Sequence, residues 1–114
     1  MALLRNATTG AILATRVERA ASFFDRTIGL LARARMHPDE GLWLERCRAI
    51  HTVGMRLCID VIFVDQQRRI VGIHRDVKPF RLALVCSAAA GVIELGAGAI
   101  AGCDILIGDR LELV

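Results

Sequence analysis

The run CIDVIFV at positions 58–64 constrains this chain more than any other stretch. It is short, β-branched and almost wholly apolar, which predicts a strand at the core. The polar tetrad DQQR at 65–68 then turns the chain into RIVGIH at 69–74, so a β-hairpin over 58–74 is the strongest local expectation. One residue breaks the apolar run. Asp60 lies between Ile59 and Val61, and an ionised carboxylate in an apolar strand is costly unless it is paired or hydrogen-bonded. Arg48, His51 and Arg56 are its nearest candidate partners in sequence. Glu94 poses the same question within VIEL, as the only charge for many residues on either side.

Other elements follow from turn chemistry. Two short apolar stretches flanking NATTG predict a hairpin over 1–17. Ala20, Ala21, Phe24, Ile28 and Leu31 recur at helical spacing, which predicts a short helix within 17–34. MHPDEG at 36–41 is a turn before a brief strand at 42–44. Residues 47–57 read as extended with a break at Gly54, 81–89 and 91–95 as further strands, with a helix as the alternative for the Ala-rich run, 96–102 as one turn of helix, and 110–114 as a last strand after Gly108-Asp109. The expected fold is mainly β: a compact barrel or sandwich of about seven short strands with one or two short helices. At 114 residues it forms a single domain, 1–114, because two would each be too small to bury a stable core.

Composition narrows the function classes. Of fifteen basic residues all but Lys78 are Arg, the side chain best suited to phosphate. They are scattered, however, with only Arg33/Arg35, Arg46/Arg48 and Arg68/Arg69 close together, and no aromatic residues interleave with them. No nucleic-acid partner is expected. The cysteines at 47, 58, 86 and 103 form no zinc-type spacing and read as reduced, mostly buried thiols. The weakly charged run at 82–103 carries Glu94 and four glycines, so it reads as buried strands and turns rather than a membrane span. A soluble, cytoplasmic protein without a signal peptide is expected.

Between 47 and 65 the chain gathers a cysteine, His51, Thr52, Met55, Arg56, a second cysteine and Asp60. Cys47, His51 and Met55 recur every four residues and are soft ligands of the kind copper prefers. Four residues of strand span about 13 Å, too far for a shared ion. Four of helix rise only about 6 Å, but Val53 and Gly54 disfavour a helix. No metal or cofactor is therefore expected. His51, Thr52, Met55, Arg56, Asp60 and Glu94 are instead the expected ligand-binding set, with Cys58 and Cys86 at its border. No activated nucleophile, P-loop or G-x-S-x-G elbow accompanies them.

IHTVGM, IDVIFVD, VIEL-x-AG and a terminal IGD-x-L, taken in order, resemble the uncharacterised bacterial and archaeal family catalogued as domain of unknown function 192. Weaker echoes are the GLL at 29–31 and the GLWL at 41–44. The resemblance implies a small, mostly β domain and no established reaction, and its pattern falls on His51, Thr52, Met55, Asp60 and Glu94. The leading expectation is a small binding domain with a polar pocket for a small polar ligand or peptide. The alternative is an enzyme using His51 as general base with Asp60 or Glu94 orienting it, and a third reading is a soft-metal (copper) protein using His51, Met55 and a cysteine from another strand.

Overall fold

The computed structural model describes residues 2–20, 36–50, 57–79 and 84–114. Nine strands form in chain order: β1 (Ala2–Asn6), β2 (Ile12–Ala20), β3 (Glu40–Glu45), β4 (Ala49–Ile50), β5 (Ile59–Val64), β6 (Ile70–Val77), β7 (Leu84–Val85), β8 (Gly91–Gly96) and β9 (Leu111–Leu113). Seven make one sheet in the order β6-β5-β8-β3-β2-β1-β9, and β4 pairs with β7 as a separate two-stranded ribbon. The run that dominates the sequence becomes β5. It is buried at all six positions, as is its neighbour β8, because both lie inside the sheet with apolar layers on each side.

The large sheet rolls upon itself. An isolated bridge between Arg69 and Arg110 brings the starts of β6 and β9 together, reinforced by Ile70 N–H to Asp109 O at 2.8 Å and Leu111 N–H to Arg68 O at 2.9 Å. The sheet is nevertheless not closed into a barrel. Its inner face gathers Leu4, Val17, Trp43, Ile62, Ile93 and Leu111 into one core cluster, capped by Ile100 and Ile105 from the turns beyond β8. The outer face of β3, β8, β5 and β6 carries a second cluster, including Val61, Phe63 and Val92, and the β4–β7 ribbon covers it with Ile50 and Leu84. Burying an aliphatic or aromatic side chain of this size contributes roughly 1.5–3 kcal/mol, so both layers matter to stability.

The mainly β expectation holds, and the expected hairpins over 1–17 and 58–74 form as β1–β2 and β5–β6. The helical expectations fare differently. Residues 17–20, read as the start of a helix, continue β2 as a strand that pairs in parallel with β3, from Arg16↔Glu40 to Ala20↔Leu44. The remainder of that stretch, to residue 34, lies outside the described residues. Residues 96–102 leave β8 as successive turns, with Ala99 N–H to Gly96 O at 3.0 Å and Ala101 N–H to Gly98 O at 3.2 Å, and Gly98 at φ +92° prevents helical continuation. Among the described residues no helix is long and apolar enough to cross a membrane, and the run at 84–96 contributes β7 and β8 instead.

Candidate functional site

Asp60 and Glu94 occupy the two central strands, and register decides which way each points. Asp60 stands opposite Leu95 and Val61 opposite Glu94. Cross-strand partners share a face, and successive residues alternate. Asp60 therefore lies on the inner face with Ile62, Ile93 and Leu95, whereas Glu94 lies on the outer face with Val61 and Val92. The structure does not bring these two acids into one hollow.

Backbone donors satisfy Asp60. The β5–β6 ladder slips between Ile59 and Val61, and opposite the slip Asp76 takes φ +53°, a bulge in β6. A bulge leaves an N–H without its ladder partner, and Asp76 N–H donates instead to Asp60 Oδ1 at 2.9 Å. Gly98 and Ile100 N–H donate to Oδ2 at 3.1 and 3.3 Å. With 1% of its surface exposed, this carboxylate ties the β6 bulge to the turn after β8. Among the described residues the partners of Asp60 are three peptide N–H groups; of the side chains expected from sequence, Arg48 makes no bond to it, and His51 and Arg56 lie outside the described residues.

Glu94 is also buried, at 3% exposure, but faces the second layer. Its row across the outer face runs Leu42 on β3, Glu94 on β8, Val61 on β5 and His74 on β6. Glu94 and His74 are thus two strands apart, about 10 Å at the usual strand spacing. His74, the last residue of the strand expected at 69–74, is interior to β6, partly buried, and set edge-on against Phe63 with ring centroids 5.7 Å apart. The sequence signal that would have found it is the full length of β6. Extending the strand three residues to Val77 turns a terminal histidine into one facing the second layer.

Beside His74 a hollow of about 540 Å³ opens between β6 and the ribbon, lined also by Asp76, Lys78, Pro79 and Leu84. Lys78 Nζ lies 2.7 Å from Asp76 Oδ2 on the surface. The lysine's hydrogen bond and charge hold the Asp76 carboxyl below its ordinary range, with a smaller contribution from the Cys58 thiol. The same bond raises Lys78. Of the other thiols in this part of the chain, Cys86 packs on the edge of the outer cluster and Cys47 donates to Ala49 O at 3.1 Å.

His51, Thr52, Met55 and Arg56 lie outside the described residues. The described ends of their connection are informative, because Ile50 and Leu57 are both buried in the outer cluster. These two flanking residues are on the side of the sheet that carries Glu94, opposite to Asp60. For the copper reading, no group of three or more His, Cys, Asp or Glu side chains among the described residues is arranged to hold a metal ion.

Comparison with known proteins supplies a family. A UPF0127 protein of Thermococcus sibiricus is 32% identical over 118 residues, covering 96% of this chain and 73% of the relative. A Sinorhizobium meliloti structure named as a "putative transcription regulator" superposes with TM-score 0.81 at 28% identity, over 98% of this chain and 91% of that one. A Novosphingobium aromaticivorans protein of unknown function shares the fold, with TM-score 0.79 at 21% identity over 97% and 82% of the two chains. Residues 4–113 match the profile described as DUF192, Uncharacterized ACR, and the chain belongs to that family.

Proposed function

We propose that this chain is a small binding domain that takes a small polar ligand or peptide on the Glu94 side of its sheet. The observation that carries the reading is the outer-face row of Glu94, Val61 and His74, beside an open hollow of about 540 Å³. That volume suits a metabolite or a few residues of peptide. His51, Thr52, Met55 and Arg56 join the site in this proposal, because their connection is anchored at both ends in the cluster on Glu94's own face. Asp60 is assigned a structural role, since its oxygens already accept three backbone hydrogen bonds. Four free thiols suit a reducing compartment, so the reading places the protein in the cytoplasm.

A thermal-shift panel of free amino acids, dipeptides and sugar acids at millimolar concentration tests the proposal. A ligand at a hundredfold excess over its Kd stabilises by about 2.7 kcal/mol, a rise of about ten degrees in a domain this size. The expected result is a shift in the wild-type protein that disappears in Glu94→Gln and His51→Ala proteins that still melt cooperatively. A shift retained in both variants would remove the site from this face.

A further inference from the structure

We propose a second site, for a small phosphate-bearing molecule, in the groove that Arg46, Arg48 and Arg68 share at the Val64 end of β5. The Arg46/Arg48 pair meets Arg68 there although twenty residues separate them, while Arg69 turns away to donate to Gly108 O at 3.1 Å. Arg46 and Arg48 follow β3, and Arg68 closes the turn between β5 and β6. A groove of about 670 Å³ lies between Arg46, Arg48, Gln66, Gln67 and Ser87, and a smaller hollow of about 140 Å³ continues it past Arg46 to Arg68. Together they offer room for a metabolite and not merely a single ion.

The arginines are built into this place. Arg46 and Arg68 take φ of +57° and +64°, the left-handed region that side chains other than glycine, asparagine and aspartate seldom occupy. Backbone bonds hold both there: Arg46 N–H donates to Ala90 O at 2.7 Å, and Arg68 N–H to Asp65 O at 3.0 Å. Uncommon backbone geometry at two arginines of one groove is the kind of outlier that calls for a functional explanation.

Charge and shape then select the ligand. Among the described residues Arg46, Arg48 and Arg68 form no ion pair, whereas Arg5, Arg16 and Arg19 each pair with an acid. Two acids line the same hollows and are themselves engaged: Glu45 lies 3.5 Å from Arg19, and Asp65 Oδ1 accepts from Gln67 and Arg69 N–H, so three guanidinium groups stand against the one acid without a cationic partner among the described residues. Guanidinium forks bind phosphate oxygens in pairs, and the amide and hydroxyl groups of Gln66, Gln67 and Ser87 add neutral hydrogen bonds. Trp43 is only 2% exposed, beneath the Arg68 guanidinium at 5.4 Å, so it offers no open ring face on which a nucleobase could stack. This favours a compact polyphosphate group over a single nucleic-acid strand.

Calorimetric titration of the full chain with inorganic pyrophosphate at physiological salt tests the groove. The informative variant combines Arg46→Gly with Arg48→Gln: glycine accepts the left-handed geometry at 46, so the charge goes while the fold stays, as a melting curve verifies. Expected is saturable wild-type binding weakened at least about tenfold in the double variant and unchanged in Arg16→Gln, whose guanidinium pairs with Glu40 on a different strand pair. Absence of wild-type binding, or equal binding by the double variant, overturns the proposal. Binding of a twelve-nucleotide oligothymidylate that depends on Arg46 and Arg48 while pyrophosphate fails also overturns it, and gives the groove to nucleic acid.

Discussion

Asp60 and Glu94 are both acids at the centre of the same sheet, both nearly inaccessible to water, and one register step apart on adjacent strands. That step puts Asp60 inside the roll and Glu94 against the second layer. Inside, the chain has bulged and turned so that three peptide N–H groups converge on the carboxylate. Outside, the acid stands in a row with His74 on the face that also buries Ile50 and Leu57. Similar burial of two acids in similar strands therefore does not imply a similar role. The role follows from which backbone groups each carboxylate serves, and this is set by the chain on either side of the sheet.

The sharpest way to break this contrast is to neutralise each acid in turn. Asp60→Ala leaves three N–H groups without their acceptor in a region closed to water, and the expected cost is about 3–5 kcal/mol, read as a lower urea midpoint. Asp60→Asn turns an amide NH2 toward donors and is expected to cost about 2 kcal/mol. Glu94→Gln keeps the side chain's size and is expected to stay within about 1 kcal/mol of wild type while losing ligand response. If Glu94→Gln destabilises as much as Asp60→Ala, the two acids are structural equals and the contrast fails.

The contrast was only half legible in the sequence. Asp60 and Glu94 announce themselves as charges in apolar runs, and the β5–β6 hairpin follows from its turn. Their faces do not, because β8 inserts between β3 and β5 from far along the chain, and the pairing of Val61 with Glu94 leaves no local trace. β2 was obscured for a related reason. Its pairing with β1 shifts register between Ala2 and Leu4 and again between Leu4 and Arg5, which disturbs the apolar alternation. Val17 could then be read into a helical repeat. His74 and the meeting of Arg46, Arg48 and Arg68 are likewise products of register and tertiary approach.

Glycines at β8 and its neighbour β3 test the same two faces with smaller effects. A Cβ on Gly96, on the Glu94 side, would stand 2.5 Å from His37 O and 2.7 Å from Met36 O, both backbone atoms with little freedom to yield. On the Asp60 side, a Cβ on Gly41 would meet the Leu95 Cδ2 methyl at 2.5 Å, a side-chain terminus that can rotate, and would stand 3.1 Å from Glu94 O, a backbone contact relieved by a shift of a few tenths of an ångström. Gly96→Ala is expected to cost about 2–3 kcal/mol and Gly41→Ala about 1 kcal/mol. Chemical denaturation of the pair measures the difference, and a reversed order would show that the 36–37 backbone rests loosely on the outer face.

The segment that presses on Gly96 is held at its far end by a third acid, and this one is exposed. Asp39 accepts the hydroxyl and the backbone N–H of Thr15, the latter at 2.8 Å, with the Arg16 guanidinium 3.9 Å away. The Thr15 hydroxyl, then its N–H, then the charge of Arg16 lower the Asp39 pKa from its ordinary 3.8. Because the folded value is the lower one, this clamp contributes fully above the unfolded value and is lost as pH falls through the folded value. Melting temperature followed from pH 6 to pH 2.5 should therefore decline less steeply below pH 4 in Asp39→Asn than in wild type. At neutral pH the two should differ least of all the variants, since solvent screens an exposed clamp. Asp76, lowered in the same direction by Lys78, leaves part of the acid slope in place. Identical slopes would mean that Thr15 and Asp39 meet without coupling to folding, and that packing against Gly96 alone holds residues 36–37 over the outer face.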